Sequence, residues 1–334
     1  MAAEFRHERF QHHRTFTLGE SLASQALSPD GMCLVTGSRK GGLVKLWNTH
    51  TGQLDRAWTA VPLSPYPYIN ETSIEYGITA LAISPDGGTL VVGGKALKTW
   101  ELKTGKPIRA FKGFGSRVSY ATVSTDAQIL LTDGTVGIRR AMNVWSLSSG
   151  KKIRRSLSAA GWVISPDSKM IVGFEMEECG DSPRPVKVWD LMTGEILRHL
   201  DNRYAIRAQQ FTFSPDGKLL AGSGFDGIKI WNFETGEQIQ RVEKYRNVQF
   251  HEHLDRVHTI IFSPDRKSLL STGSDGSIQI WDVEAGTNVG ALQSEARLGW
   301  IGMSINGQTI VGVGGAGQNS NIVEVWISSL TNAN

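Results

Sequence analysis

Residues 214–242 read SPDGKLLAGSGFDGIKIWNFETGEQIQRV. This stretch decides the fold, because two turn signals divide it into runs of strand length. In Ser214-Pro215-Asp216-Gly217 the proline presets φ at the second turn position, the aspartate can bond its own backbone, and the glycine accepts positive φ. Gly236 closes a second hairpin in ETG. Around these turns lie QQFTFS, KLLAGS, IKIWNF and QIQRV, all short and most of them rich in β-branched or aromatic residues. The unit reads as four strands.

The same unit recurs along the chain. The turn serine falls at 28, 84, 124, 165, 214, 263 and 304, alternating with Trp47, Trp100, Trp145, Trp189, Trp231, Trp281 and Trp326. Gly52, Gly105, Gly150, Gly194, Gly236 and Gly286 each sit five residues past a tryptophan. The spacing is somewhat above the roughly 40–45 residues of one four-stranded propeller blade, which leaves room for loop insertions.

The sequence of landmarks SPDG, then GS.DG.I.IWD, then TGE resembles the WD-repeat β-propeller family, over about residues 14 to 330. The WD pair itself stands at Trp189-Asp190 and Trp281-Asp282 and drifts to WN, WE, WS or WI elsewhere. The regular SPDGKLLAGSG style is similar to prokaryotic members. The resemblance implies an all-β, seven-bladed β-propeller with four antiparallel strands per blade. The strand after each TG turn has a recognisable form, and HRTFTL from His13 shares it although no blade precedes it, whereas the last repeat ends without one. Arg14 to Leu18 is therefore expected to complete the last blade, removing open edges at the join. The expected layout is an N-terminal extension at 1–13, a single propeller at 14–330 and a tail at 331–334.

Composition agrees. A chain of 334 residues with 37 glycines and 10 tryptophans suits short strands and tight turns better than helices. Its net charge of +3 supplies no strong field toward nucleic acid or anionic membrane, so a nucleic-acid partner is not expected. The two cysteines, Cys33 and Cys179, give no disulfide framework and fit a reducing compartment. Neither a signal-peptide core nor an apolar run of membrane-spanning length is found, and a soluble, cytoplasmic, monomeric propeller is expected.

Several groupings imitate chemistry. The family often carries a hydrogen-bonded tetrad of histidine, serine or threonine, aspartate and tryptophan, and only the sixth repeat has all the parts: His253, Ser271 or Thr272, Asp275 and Trp281. The set resembles a Ser/His/Asp catalytic grouping but is expected to staple the blade, since a satisfied buried network rigidifies without reacting. Arginines on the outer strands, Arg14, Arg56, Arg109, Arg154, Arg198 and Arg241, are expected to protect exposed edges rather than form a basic belt. GVGGAG from Gly312 matches GxGxxG but precedes a strand, IVEVW, where a dinucleotide site needs a helix. Histidines at 7, 12, 13, 251 and 253 lack zinc-site spacing, and EMEECGD from Glu175 lacks that of a calcium loop. Trp162 and Trp300 are expected to pack between blades. No cofactor, metal or enzymatic activity is expected.

What varies is confined to one set of connections. SPDG and TG keep the first-to-second and third-to-fourth turns short, while insertions fall between second and third strands and between the outer strand and the next blade. Long loops on a rigid frame carry binding residues, and tyrosine, phenylalanine and arginine anchor interfaces. The expected function is an interaction scaffold or complex subunit that holds another protein through Tyr66, Tyr68, Tyr76, Arg139, Arg140, Glu175, Glu177, Tyr204, Tyr245, Arg246, Phe250 and His251. Alternatives are a propeller enzyme with a channel site, or binding of RNA or an anionic surface through the outer arginines. The innermost strands, mostly apolar or small, speak against the first.

Overall fold

A computed structural model describes residues 5–61, 77–114, 117–136, 139–155, 159–175, 186–200, 208–224, 227–243, 257–315 and 321–329. The chain is a seven-bladed β-propeller in which every blade is a four-stranded antiparallel sheet. Blade 1 comprises β2 (Leu22–Leu27), β3 (Cys33–Ser38), β4 (Leu43–Asn48) and β5 (Leu54–Thr59). Blade 2 is β6 (Ala80–Ile83), β7 (Thr89–Gly93), β8 (Leu97–Glu101) and β9 (Pro107–Phe111). In blade 3 the strands are β10 (Arg117–Val123), β11 (Ile129–Val136), β12 (Arg139–Ser146) and β13 (Lys152–Arg155). Blade 4 contains β14 (Ala159–Ile164), β15 (Met170–Glu175), β16 (Val186–Asp190) and β17 (Ile196–His199). Blade 5 follows with β18 (Ala208–Phe213), β19 (Leu219–Gly224), β20 (Gly227–Asn232) and β21 (Gln238–Glu243). Blade 6 has β22 (Thr259–Phe262), β23 (Ser268–Thr272), β24 (Ile278–Asp282) and β25 (Asn288–Leu292). Blade 7 combines β26 (Leu298–Met303), β27 (Thr309–Gly315) and β28 (Asn321–Ser328) with β1 (Phe10–Thr17).

The last pairing joins the two ends of the chain. Phe10 opposes Ser328 and Thr17 opposes Ile322. The strand begins at Phe10 rather than at Arg14, because Phe10 is itself a buried core residue. The residues before it are also packed. Phe5 donates its N–H to Asp265 Oδ2 at 2.8 Å, its ring lies 5.2 Å from that of Phe10, and Ser329 N–H reaches Arg9 O at 2.9 Å.

The residues group into two compact units, one of Leu18–Ser158 with Gln318–Asn321, the other of Met1–Thr17, Ala159–Gly317 and Ile322–Asn334. Within each, apolar clusters are shared by successive blades. Val35, Val44 and Leu46 of blade 1 pack with Leu90 and Trp100 of blade 2; Ile228 and Ile230 of blade 5 pack with Ile260, Leu269 and Trp281 of blade 6. A sheet covered on both faces is apolar throughout its middle strands, whereas outer strands such as β5 alternate little and stay exposed. Each fully buried Leu or Ile contributes about 1.5–3 kcal/mol, so stacking is the main source of stability.

The turns are built as the sequence indicates, with more parts. In blade 5, Ser214 Oγ donates to Asp216 Oδ1 at 2.7 Å and accepts Leu219 N–H at 2.9 Å. The same serine-to-aspartate bond recurs in the other blades, with Asn306 in place of aspartate in blade 7. The fourth turn residue has positive φ in every blade, and among the described residues all three non-glycines with positive φ, Ala127, Ser168 and Arg266, stand at that position. In the other turn the residue after tryptophan is a cap: Asn48 Oδ1 accepts the N–H of His50 and Thr51, Asp190 Oδ1 those of Met192 and Thr193, and Asn232 Oδ1 those of Glu234 and Thr235. The drift from WD to WN therefore keeps the physical role, a side-chain oxygen two atoms from Cα. Blade 7 has Ile327 there because no hairpin follows; its outer strand arrives from the N-terminus.

Candidate interaction surface

The long connections leave the ends of the blades opposite the Ser-Pro-Asp turns, and their described stems are fixed by close backbone crossings. A Cβ on Gly42 would lie 2.1 Å from Val61 O, on Gly77 2.3 Å from Arg39 O, on Gly134 2.2 Å from Arg117 O, and on Gly314 2.4 Å from Arg297 O. No larger residue fits these crossings without moving backbone, so each loop starts from a rigid base. Of the GVGGAG glycines, Gly314 makes one of these crossings and Gly312 makes room for side chains. Gly312 and Gly314 lie within β27, and a Cβ on Gly312 would meet Leu298 at 2.8 Å and Trp326 at 3.1 Å.

Tyr66, Tyr68, Tyr76, Glu177, Tyr204, Tyr245, Arg246, Phe250, His251 and the tetrad histidine His253 lie outside the described residues. Arg139 and Arg140 do not sit in an irregular loop, as the sequence reading has it. The hairpin of β11 and β12 runs on through Gly134↔Ala141 and Thr135↔Arg140 to Val136↔Arg139, so the antiparallel ladder continues through both arginines. Glu175 likewise ends strand β15, paired with Ala159. Extended strands thus carry part of what looked like insertion.

Of the sixth-repeat set, Trp281 and Ser271 are joined, while Asp275 bonds within its own turn. Trp281 donates its indole N–H to Ser271 Oγ at 2.8 Å, choosing Ser271 over Thr272, and Asp275 accepts Ser277 N–H at 3.1 Å and Ser277 Oγ at 2.7 Å. The tryptophan-to-hydroxyl bond also joins Trp47 to Thr36 at 3.0 Å and Trp145 to Thr132 at 2.9 Å. Reading for a complete tetrad missed these. The signal was a Ser or Thr two residues after the second-strand position that faces tryptophan. Val92 and Gly222 hold that position in blades 2 and 5, and there Trp100 and Trp231 have no partner for Nε1 among the described residues.

Other blades fasten the loop ahead of the first strand through the residue two before tryptophan. Lys45 Nζ meets Glu20 at 3.0 Å in blade 1, and Glu324, 2% exposed, accepts Glu295 N–H at 3.1 Å in blade 7. Between blades, Ser24 Oγ donates to Ile78 O at 2.7 Å, Thr79 Oγ1 to Val118 O at 2.5 Å and Thr259 Oγ1 to Gly299 O at 3.2 Å.

Two of the outer arginines, Arg109 and Arg198, make contacts to the next blade. Arg109 donates to Ser149 O at 3.0 Å, and Arg198 donates to both Phe233 O and Glu234 O while its guanidinium stacks 4.7 Å over the Phe233 ring. Each clips its blade to a turn of the next. Arg241 is one residue out of this register; Gln240 has the place and donates to Glu284 O at 2.6 Å.

Trp162 is buried and Trp300 half-buried, both on innermost strands. His7 packs its ring against Gly290, and His12 Nε2 lies 2.8 Å from Thr15 Oγ1. Among the described residues no group of three or more His, Cys, Asp or Glu is arranged to hold a metal ion. The Cys33 thiol is pushed up by burial, with Asp30 and Asp55 adding to it. No helix among the described residues is long and apolar enough to cross a membrane.

The WD domain, G-beta repeat family matches residues 9–48 and 244–282. The first match begins just before β1 and ends with β4, so one sequence repeat supplies the outer strand of one blade and three strands of the next. The chain is 25% identical over 231 residues, 66% of its length, to the Periodic tryptophan protein 2 homolog of Dictyostelium discoideum, and the alignment spans 23% of that protein.

Proposed function

We propose that this seven-bladed propeller of WD-type repeats is a non-enzymatic scaffold, or a subunit of a complex, that holds another protein at the blade ends bearing its long connections. The observation that carries the reading is the division of labour between turns. The Ser-Asp and Trp-Asx turns are short and closed by their own hydrogen bonds, while the opposite connections start from glycine-pinned stems. A rigid base lowers the ordering cost of binding through a loop. The WD-repeat matches support an interaction role in general.

The proposed contact residues are Tyr66, Tyr68, Tyr76, Arg139, Arg140, Glu175, Glu177, Tyr204, Tyr245, Arg246, Phe250 and His251, with His253 completing the sixth-blade tetrad. Using Arg109 and Arg198 as internal clips removes support from binding of nucleic acid through the outer strands. Alanine replacement of Tyr66, Tyr68 and Phe250 together is the test. Loss of partner recovery from native extract at unchanged melting temperature supports the reading, and undiminished recovery overturns this surface.

A further inference from the structure

We propose a second docking site, independent of the blade ends that bear the long loops: the outer hairpins of blades 2 and 3 receive an extended segment of a partner protein in which acidic and aliphatic residues alternate. Charge is the starting point. Residues 77–155, which span these two blades, carry thirteen Lys and Arg against four Asp and Glu, so in a chain of net charge +3 all other residues together are acidic. A surface of one sign steers encounter with a partner of the other.

The two hairpins form one continuous surface. Arg109 of β9 donates to Ser149 O at 3.0 Å, in the turn that leads to β13. Lys152 of β13 donates to Gly113 O, just beyond β9, and its Nζ lies 4.7 Å over the Trp145 ring. Both of these cations hold the blades together. Lys103, Lys106, Lys112 and Lys151 are exposed, and none of the four has a carboxylate partner among the described residues. The four acids of these blades are engaged or enclosed. Asp86 and Asp126 accept the hydroxyls of Ser84 and Ser124 in their own turns, Glu101 accepts that of Thr104, and Asp133 is buried.

The remaining features of the surface select a polypeptide. Ile108 and Ile153, the bulge residues of the two outer strands, are 53% and 41% exposed. Ile108 lies in the chain between Lys106 and Lys112, and Ile153 follows Lys151 and Lys152. β9 and β13 each end a sheet, so backbone N–H and C=O groups face outward along one edge. An extended acidic segment supplies carboxylates to the ammonium groups, aliphatic side chains to the isoleucines and backbone partners to the edge. Single-stranded nucleic acid would use aromatic platforms, and the rings of these hairpins, Trp100, Phe111 and Trp145, are buried.

The probe is the fluorescently labelled peptide acetyl-Glu-Ile-Glu-Ile-Glu-Ile-Glu-amide, titrated with the full-length protein and followed by anisotropy. Saturable binding is expected, weakening as salt is raised. The combined variant Lys103→Gln, Lys106→Gln, Lys112→Gln and Lys151→Gln should bind at least about tenfold more weakly at unchanged melting temperature. The control set Lys40→Gln, Lys169→Gln, Lys218→Gln and Lys267→Gln removes the same charge from exposed lysines of blades 1, 4, 5 and 6. It should change affinity by less than about twofold. Ile108→Ser with Ile153→Ser, at constant charge, should weaken binding about threefold or more. The proposal is overturned by absence of saturable binding at millimolar peptide, by equal effects of the two lysine sets, by indifference to the isoleucine pair, or by tighter binding of oligouridylate or phosphatidylserine vesicles through the same lysines. None of these substitutions is at a proposed loop contact, so failure here is distinct from failure of the scaffold reading.

Discussion

Trp281 and Ser271 are joined by a buried hydrogen bond of 2.8 Å, while Trp231, in the same register of the preceding blade, faces Gly222 and has no partner for its indole N–H among the described residues. The difference is one of space. A Cβ on Gly222 would come within 2.8 Å of the Phe211 ring and 3.1 Å of Trp231, so the aromatic packing of that blade excludes the hydroxyl.

Blade 2 has no such conflict. Val92, 1% exposed, already fills the position beside Trp100 with a side chain of threonine's shape. Val92→Thr should gain about 1 kcal/mol by giving the indole an acceptor, and Ser271→Ala should cost about 1–3 kcal/mol by orphaning Trp281. Gly222→Ser should be destabilising by about 1–3 kcal/mol through overpacking. Urea midpoints of the three variants check the order.

Ala127, Ser168 and Arg266 hold positive φ at a turn position that is glycine in four other blades. Replacing each by glycine should relieve about 1 kcal/mol per site. For Arg266 the lost ion pair with Asp216 is exposed and subtracts little. Calorimetry of the triple variant should show a higher melting temperature; a lower one would sink the argument from backbone strain.

The turn aspartates make stability sensitive to acid. In Asp86 the Ser84 hydroxyl first, then Gly88 N–H, hold the carboxyl below its usual range; in Asp216 burial opposes, but the Ser214 hydroxyl, Lys218 N–H and Arg266 prevail in the same direction. A carboxyl depressed in the folded state stabilises it above the unfolded pKa, and that contribution is lost as pH falls through the folded value. Asn306 makes the same contacts with an amide oxygen, accepting from Ser304 Oγ at 2.7 Å and Gln308 N–H at 3.0 Å. Asp86→Asn should therefore keep the turn near neutrality and reduce the fall in melting temperature toward acid pH.

Deleting residues 1–9 should destabilise blade 7 although β1 survives, because Phe5, its bond to Asp265 and the His7 ring against Gly290 are removed. Loss of a partly buried phenylalanine predicts about 2 kcal/mol. Extending the deletion through Thr17 exposes the edge of β28 and should cause aggregation during thermal unfolding. Light scattering separates the two deletions.

Much of this was legible in the residues themselves. Turn serines, turn glycines and tryptophans at regular intervals named the blade, and an unmatched outer strand at the start of the chain named its partner at the end, because turn chemistry and strand alternation are local properties. What needed the tertiary structure were the contacts made across blades. Nothing near Arg198 in sequence announces Phe233 O, and nothing near Gln240 announces Glu284 O. Local rules set which strands form; packing between sheets, acting on residues 35 to 50 positions apart, decided what each side chain is for.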